Sequence, residues 1–203
     1  MTVTREQFES GLTYEAYKAQ MTRNREPLEQ NERELPLSAD DLEAFRRLPR
    51  PLHVLALAED WCGDVIANLP ILGRIAAESG TLDVRVLSRD QHLDIMDQYL
   101  TKGQFRSIPV FVFLDDDFNE VGVFMERPAS VTQAREAARR ALFQRHPEFG
   151  SPDAPPDQLP EDTRVQLMQA MARMREENAP FANAEVVRAL RGIVEQAAHA
   201  AAA

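Results

Sequence analysis

Four short apolar runs in the middle of the chain constrain its fold most. Val54–Ala58, Leu82–Leu87, Val110–Leu114 and Val121–Met125 each have the length of a strand. Val54–Ala58 is continuously apolar, as a strand buried on both faces is. Leu82, Val84 and Val86 alternate along the second run. A helical segment from Val65 to about Ser79 follows the first run, with Gly80 at its C-cap. Leu93–Leu100 predicts a further helix, closed by Lys102-Gly103. Asp115, Asp116, Asp117 and Asn119 predict a hairpin turn between the last two runs. Ser130 with Gln133 predicts a capping box that opens an Ala-rich helix ending before Pro147. The order is therefore β-α-β-α-β-β-α over residues 51–146. Strands separated by helices predict parallel pairs, and the last two strands an antiparallel hairpin.

Helical signals flank this region. Thr13 can N-cap a segment carrying Tyr14, Tyr17 and Met21 on one face, and Pro27 and Pro36 end or kink whatever follows. Ser38 N-caps a helix through Leu42, Phe45 and Leu48, with Leu37 and Leu42 placed as a staple, before Pro49 and Pro51 stop it. Pro152, Pro155, Pro156 and Pro160 give an extended linker. Two helical segments follow, one with Leu167, Met168, Met171 and Met174 on a stripe, the other with Val186, Val187, Leu190 and Val194. The methionine stripe reads as a packing face, since Met fills irregular gaps. The expected organisation is an N-terminal helical extension over 1–49, an α/β domain over 50–147, a Pro-rich linker over 148–160 and a C-terminal helical extension over 161–203.

Charge narrows the function. The 23 Lys+Arg against 33 Asp+Glu give a net charge of −10, which argues against nucleic acid and against an anionic membrane surface. No apolar run approaches the ~20 residues of a bilayer span. Residues 1–30 are rich in Arg, Glu and Gln, without the apolar stretch of a secretory signal. A single Cys excludes an internal disulfide and a Cys-based zinc site. The expected compartment is the reducing cytoplasm.

That Cys sits beside the only Trp, in Glu59-Asp60-Trp61-Cys62-Gly63-Asp64, where a buried strand gives way to a helix. A thiol at a helix N-terminus faces unpaired N–H groups and the positive end of the dipole, both of which favour thiolate. It also lies at the carboxyl end of a strand, where open α/β sheets place ligands. Asp64, and Glu59 and Asp60 if they point the same way, oppose ionisation. The plain alternative is a small apolar side chain filling a gap. Elsewhere His53, His92, His146 and His199 have no ligand spacing, and Asp115–Asp117 reads as a solvated hairpin tip. Arg127 follows the last strand, where it can pair with Asp64 or with a substrate carboxylate. No metal site is expected.

Trp61-Cys62-Gly63 resembles the start of the W-C-G-x-C motif of the thioredoxin superfamily. Pro70 is similar to the proline of that family's active-site helix. Arg106-Ser107-Ile108-Pro109-Val110 resembles the stretch with the family's cis-proline, which faces the catalytic cysteine and receives substrate backbone. The wider chain, from Leu12-Thr13-Tyr14-Glu15 through the helices past the linker, looks like a bacterial branch with a WCGD core. The resemblance implies a thioredoxin-like α/β fold with N- and C-terminal helical extensions. It makes Cys62 the catalytic candidate and Trp61, Gly63, Asp64, Ile108 and Pro109 the substrate-binding ones.

Two departures from the family's pattern limit the chemistry. Val65 stands where the resolving cysteine belongs, and Ala56 where the family has a buried acid. A dithiol cycle needs a second thiolate, so self-contained disulfide reduction is excluded for the monomer. What the resemblance leaves is a monothiol oxidoreductase of mixed disulfides, resolved by an external thiol such as glutathione, with no bound cofactor and a protein or small-molecule disulfide or thiol as partner. The alternative is a redox-inactive module that binds a protein or peptide.

Overall fold

The computed structural model describes residues 3–202. The chain divides into two compact units, residues 1–127 with 186–203, and residues 128–185. In chain order the elements are α1 (Arg5–Glu9), β1 (Leu12–Thr13), α2 (Tyr14–Gln20), α3 (Arg25–Glu34), α4 (Ala39–Arg46), β2 (Leu52–Ala58), α5 (Gly63–Ser79), β3 (Leu82–Ser88), α6 (Leu93–Met96), β4 (Val110–Leu114), β5 (Glu120–Met125), α7 (Ala129–Arg145) and α8 (Glu161–Ala202).

The first unit is built on a five-stranded sheet of order β1-β3-β2-β4-β5. β2 takes the centre because it is apolar on both faces; Val54 through Ala58 are fully buried. β2 and β3 run parallel from Leu52 opposite Leu82 to Ala58 opposite Ser88, joined by α5. β4 corrects the parallel expectation: it is antiparallel to β2, with Val110 opposite Leu57. The reason lies in the connection. The predicted helix over Leu93–Leu100 is realised only as Leu93–Met96, about 6 Å at ~1.5 Å per residue. That is too short to carry the chain back along β3, so β4 starts at the end where β3 stops. Tyr99 leaves the helix because its N–H turns to the Met96 carbonyl and its hydroxyl donates to Glu120 at 2.9 Å. β5 then returns antiparallel to β4.

Several flanking elements follow their local chemistry. Thr13 N-caps α2, Ser38 N-caps α4 in a capping box with Asp41, and Gly80 takes the left-handed conformation after α5 at φ 70°. The Pro27 expectation is corrected. Pro27 lies in the first turn of α3, where its missing N–H is not needed. β1 and α1 carry too few residues to show a period and have no counterpart in the sequence reading.

α8 also corrects an expectation, since the two predicted helices are one helix that runs through Pro180. Its C-terminal part belongs to the first unit, where Val186, Val187, Leu190 and Val194 join the core. Ile193 comes so close to β5 that a Cβ on Gly122 would lie 2.6 Å from it, which requires glycine there.

In the second unit, α7 opens at Ala129 after Pro128, with no side-chain cap. Ser130 is therefore not a cap; its hydroxyl donates to Glu185 at 2.5 Å. The proline-rich stretch is folded rather than extended, with short 3-10 turns at Pro147–Phe149 and Pro156–Gln158. Phe149 packs with Leu142, Phe143 and Leu167. On the methionine stripe, Met174 is buried and Met171 packs against that cluster, whereas Met168 is 58% exposed.

Candidate functional site

Cys62 is the N-cap residue of α5, at φ −87° and ψ 119°. Its N–H donates to Glu59 O and its carbonyl accepts from Ile66, so the turn from β2 into the helix is closed by backbone bonds. The thiol is partly exposed and donates to the Ile108 carbonyl at 3.5 Å. The Ile108–Pro109 peptide is cis. A Cβ on Gly63 would meet nothing within 4 Å, so the helix start beside the thiol is open. Trp61 is 45% exposed, with the Arg89 guanidinium 5.0 Å from its ring centroid. Arg89 in turn donates to the Arg106 carbonyl at 3.0 Å, which ties the Trp61 side of the site to the segment leading into Pro109.

The structure thus brings together Trp61, Cys62, Gly63 and Asp64 with Ile108 at one end of the sheet. Val65 and Ala56 are both fully buried. Val65 offers the thiol only its backbone N–H.

Burial is the largest influence on Cys62 and pushes its thiol above the ordinary value. The N–H groups of Val65 and Asp64 work downward, and the charges of Asp64 and Glu126 work upward. Desolvation and the two carboxylates therefore outweigh the helix N-terminus. Glu59 and Asp60 do not point at the thiol. Glu59 accepts from Ser88 Oγ at 2.7 Å and from Asp90 N at 2.9 Å. Asp60 accepts from Thr22 N at 2.8 Å, Thr22 Oγ1 at 3.1 Å and Arg23 N at 3.0 Å.

Arg127 does pair with Asp64, through a hydrogen bond from Nη1 to Oδ2, and its Nη1 lies 2.8 Å from Glu126 Oε1. The sequence reading missed three contributors. Glu126 stands beyond the last strand and gives no local signal. Asn68 is buried on α5 and donates to the Glu126 carbonyl at 2.8 Å; a polar residue inside the apolar run Val65–Leu72 is the signal that could have found it. Tyr17, on α2, has a buried hydroxyl with no hydrogen-bond partner, and its electrostatic neighbours include Cys62.

Among the described residues no three His, Cys, Asp or Glu side chains gather as a metal site. Asp115 accepts from Asp117 N, Asn119 N and Asn119 Nδ2, which closes the hairpin tip. No helix among the described residues is long and apolar enough to cross a membrane.

A central β2 flanked by β3 and β4, a cysteine at the start of α5 and a cis-proline opposite it define a thioredoxin-fold protein with one thiol. A family model described as Thioredoxin matches residues 11–139, and the chain belongs to that family. Two solved structures are similar over nearly the whole chain. One is a Pseudomonas aeruginosa protein of unknown function, 20% identical, with a TM-score of 0.67, covering 98% of this chain and 100% of its own. The other is an HIV epitope scaffold, 18% identical, with a TM-score of 0.63, covering 94% and 96% respectively. At these identities the likeness is one of fold. No curated protein matches the sequence.

Proposed function

We propose that this protein is a monothiol member of its family, in a single-cysteine branch marked by Trp61-Cys62-Gly63-Asp64. The Cys62 thiolate attacks one sulfur of a protein or small-molecule disulfide. A bond forms to Cys62 as the substrate's S–S bond breaks, and the second substrate sulfur leaves as thiolate and takes a proton from water. An external thiolate such as glutathione then attacks the sulfur joined to Cys62. Cys62 leaves as thiolate, and the substrate departs as a mixed disulfide with the external thiol. Each step conserves electrons and needs no bound cofactor or metal.

The observation that supports this best is the 3.5 Å contact between the Cys62 thiol and the carbonyl preceding cis-Pro109, on a side left open by Gly63. In this reading Trp61, Gly63, Asp64, Ile108 and Pro109 contact the substrate backbone. The cytoplasm, rich in small thiols, suits such a cycle. A second reading draws on the elevated thiol: the same residues bind a protein or peptide and Cys62 exchanges nothing.

Exposure to oxidised glutathione separates the two. The monothiol reading expects one glutathione on the native protein by intact mass, no adduct on Cys62→Ser, and release by added thiol. The adduct persists until then, because the chain holds no second cysteine. Native protein without adduct that labels readily once unfolded would establish the binding module instead.

A further inference from the structure

The two carboxylates that act on the Cys62 thiol, Asp64 and Glu126, both pair with Arg127. Arg127 bonds the Asp64 carboxylate and lies 2.8 Å from that of Glu126. The Asp64, Glu126 and Arg127 side chains are only 16%, 26% and 22% exposed, so water and salt screen them little. Their placement is held from both sides. Glu126 is in the left-handed region at φ 55°, its N–H donates to the Pro109 carbonyl at 2.7 Å, and its own carbonyl accepts from buried Asn68 at 2.8 Å. Asn68 and Asp64 lie one turn apart on α5. The backbone that carries Pro109 thus also delivers Arg127 to the start of the helix.

We propose that Arg127 is the positioning residue of Cys62: by holding the Asp64 and Glu126 carboxylates it offsets part of the negative charge they direct at the thiol, and so sets how fast Cys62 exchanges. This deepens the monothiol reading and rests on it. Tyr17, Glu59 and Asp60, the other titratable side chains around this turn, carry no positive charge. Tyr17 on α2 is a neutral phenol at ordinary pH, and burial, then Asp60, Glu59 and Cys62, raise it further. Glu59 and Asp60, in the turn before α5, are engaged with Ser88, Asp90, Thr22 and Arg23.

The test is the pH profile of Cys62 alkylation by iodoacetamide. Arg127→Gln leaves two carboxylates without this cation, and the labelling midpoint should rise by about one pH unit. At neutral pH that lowers the thiolate fraction about tenfold. The more basic thiolate is a better nucleophile, so the rate falls only about threefold. Arg127→Lys should fall between, and Arg127→Gln/Asp64→Asn should return the midpoint to the parent's or below. A midpoint that stays in place in folded Arg127→Gln overturns the proposal. Should that variant not fold, Asp64→Asn decides, because removing one of the two carboxylates while Arg127 stays beside Glu126 must lower the midpoint; an unchanged or raised one overturns it. Iodoacetamide needs no disulfide partner. A missing glutathione adduct alongside a shifted midpoint would retire the monothiol reading and keep the role of Arg127.

Discussion

Glu59 and Asp60 stand before Cys62, and Asp64 and Glu126 stand after it, yet the two pairs of carboxylates act on different groups. The first pair accepts hydrogen bonds from backbone N–H groups and hydroxyls of Ser88, Asp90, Thr22 and Arg23. Its field falls on the Tyr17 phenol. The second pair faces the thiol and is held by Arg127. Asp60 and Asp64 are equally far from Cys62 in sequence, so distance along the chain does not separate them. Direction does. Asp60 precedes the turn and meets the loop after α2, whereas Asp64 lies in the first turn of α5 beside the end of β5.

The largest expected effect sharpens the Tyr17 side. All three tyrosines are raised, Tyr14 by burial and Glu32, Tyr99 by burial and Glu120, Tyr17 by burial and then Asp60 and Glu59. A folded phenol raised above its unfolded value of about 10 holds its proton longer, so stability is intact below that pH and lost as pH rises above it. Each phenol costs up to about 1.4 kcal/mol per pH unit in that range. Absorbance at 295 nm should therefore show tyrosine ionising in one step with the loss of ellipticity. Tyr17→Phe should move that step to higher pH. A tyrosine titrating near pH 10 in the folded chain would break the assignment.

Next in size is Asp60→Ala. Burial works to raise the Asp60 carboxyl, but the bonds from Thr22 and Arg23 outweigh it and hold it low. Its contribution is thus present above about pH 4 and lost as pH falls. Removing it hands the Thr22 and Arg23 N–H groups and the Thr22 hydroxyl to water, and urea unfolding should report a loss of about 1 kcal/mol. The Cys62 labelling midpoint should stay where it is. If Asp60→Ala lowers that midpoint as much as Asp64→Asn does, the two pairs are not distinct.

The same contrast explains how much of the molecule was legible in its sequence. β2, β3, β4, β5 and α5 follow from apolar runs and from Gly80, because a strand buried on both faces and a helix with a left-handed cap leave local marks. Cys62 at a helix start follows from the same marks. The antiparallel β4 did not, since it depends on how far Leu93–Met96 reaches rather than on any residue within β4. α8 reads as two segments because its stripes Leu167–Met174 and Val186–Val194 are separate, and the structure joins them in one helix that continues through Pro180. The direction of Glu59 and Asp60 is set by N–H groups of segments distant in sequence. Glu126 owes its place to a left-handed backbone whose N–H meets the carbonyl of Pro109, a residue distant in sequence.

The smallest effect concerns Cys62 itself and separates the two pairs by stability instead of reactivity. Burial, with Asp64 and Glu126, raises the thiol against the Val65 and Asp64 N–H groups. The folded protein therefore keeps the thiol proton longer than the unfolded chain, whose thiol titrates near pH 8.5. Its stabilisation is whole below that pH and declines as pH rises above it. Because the side chain is partly exposed, the decline should be shallower than the one the tyrosines produce at higher pH. Urea midpoints from about pH 7.5 to 9.5 should fall faster for the parent than for Cys62→Ser, which has nothing to titrate there. Asp64→Asn should reduce the slope and Asp60→Asn should leave it intact. Parallel slopes for the parent and Cys62→Ser would mean that the thiol titrates alike in both states, and the difference between the two pairs of carboxylates at Cys62 would then be lost.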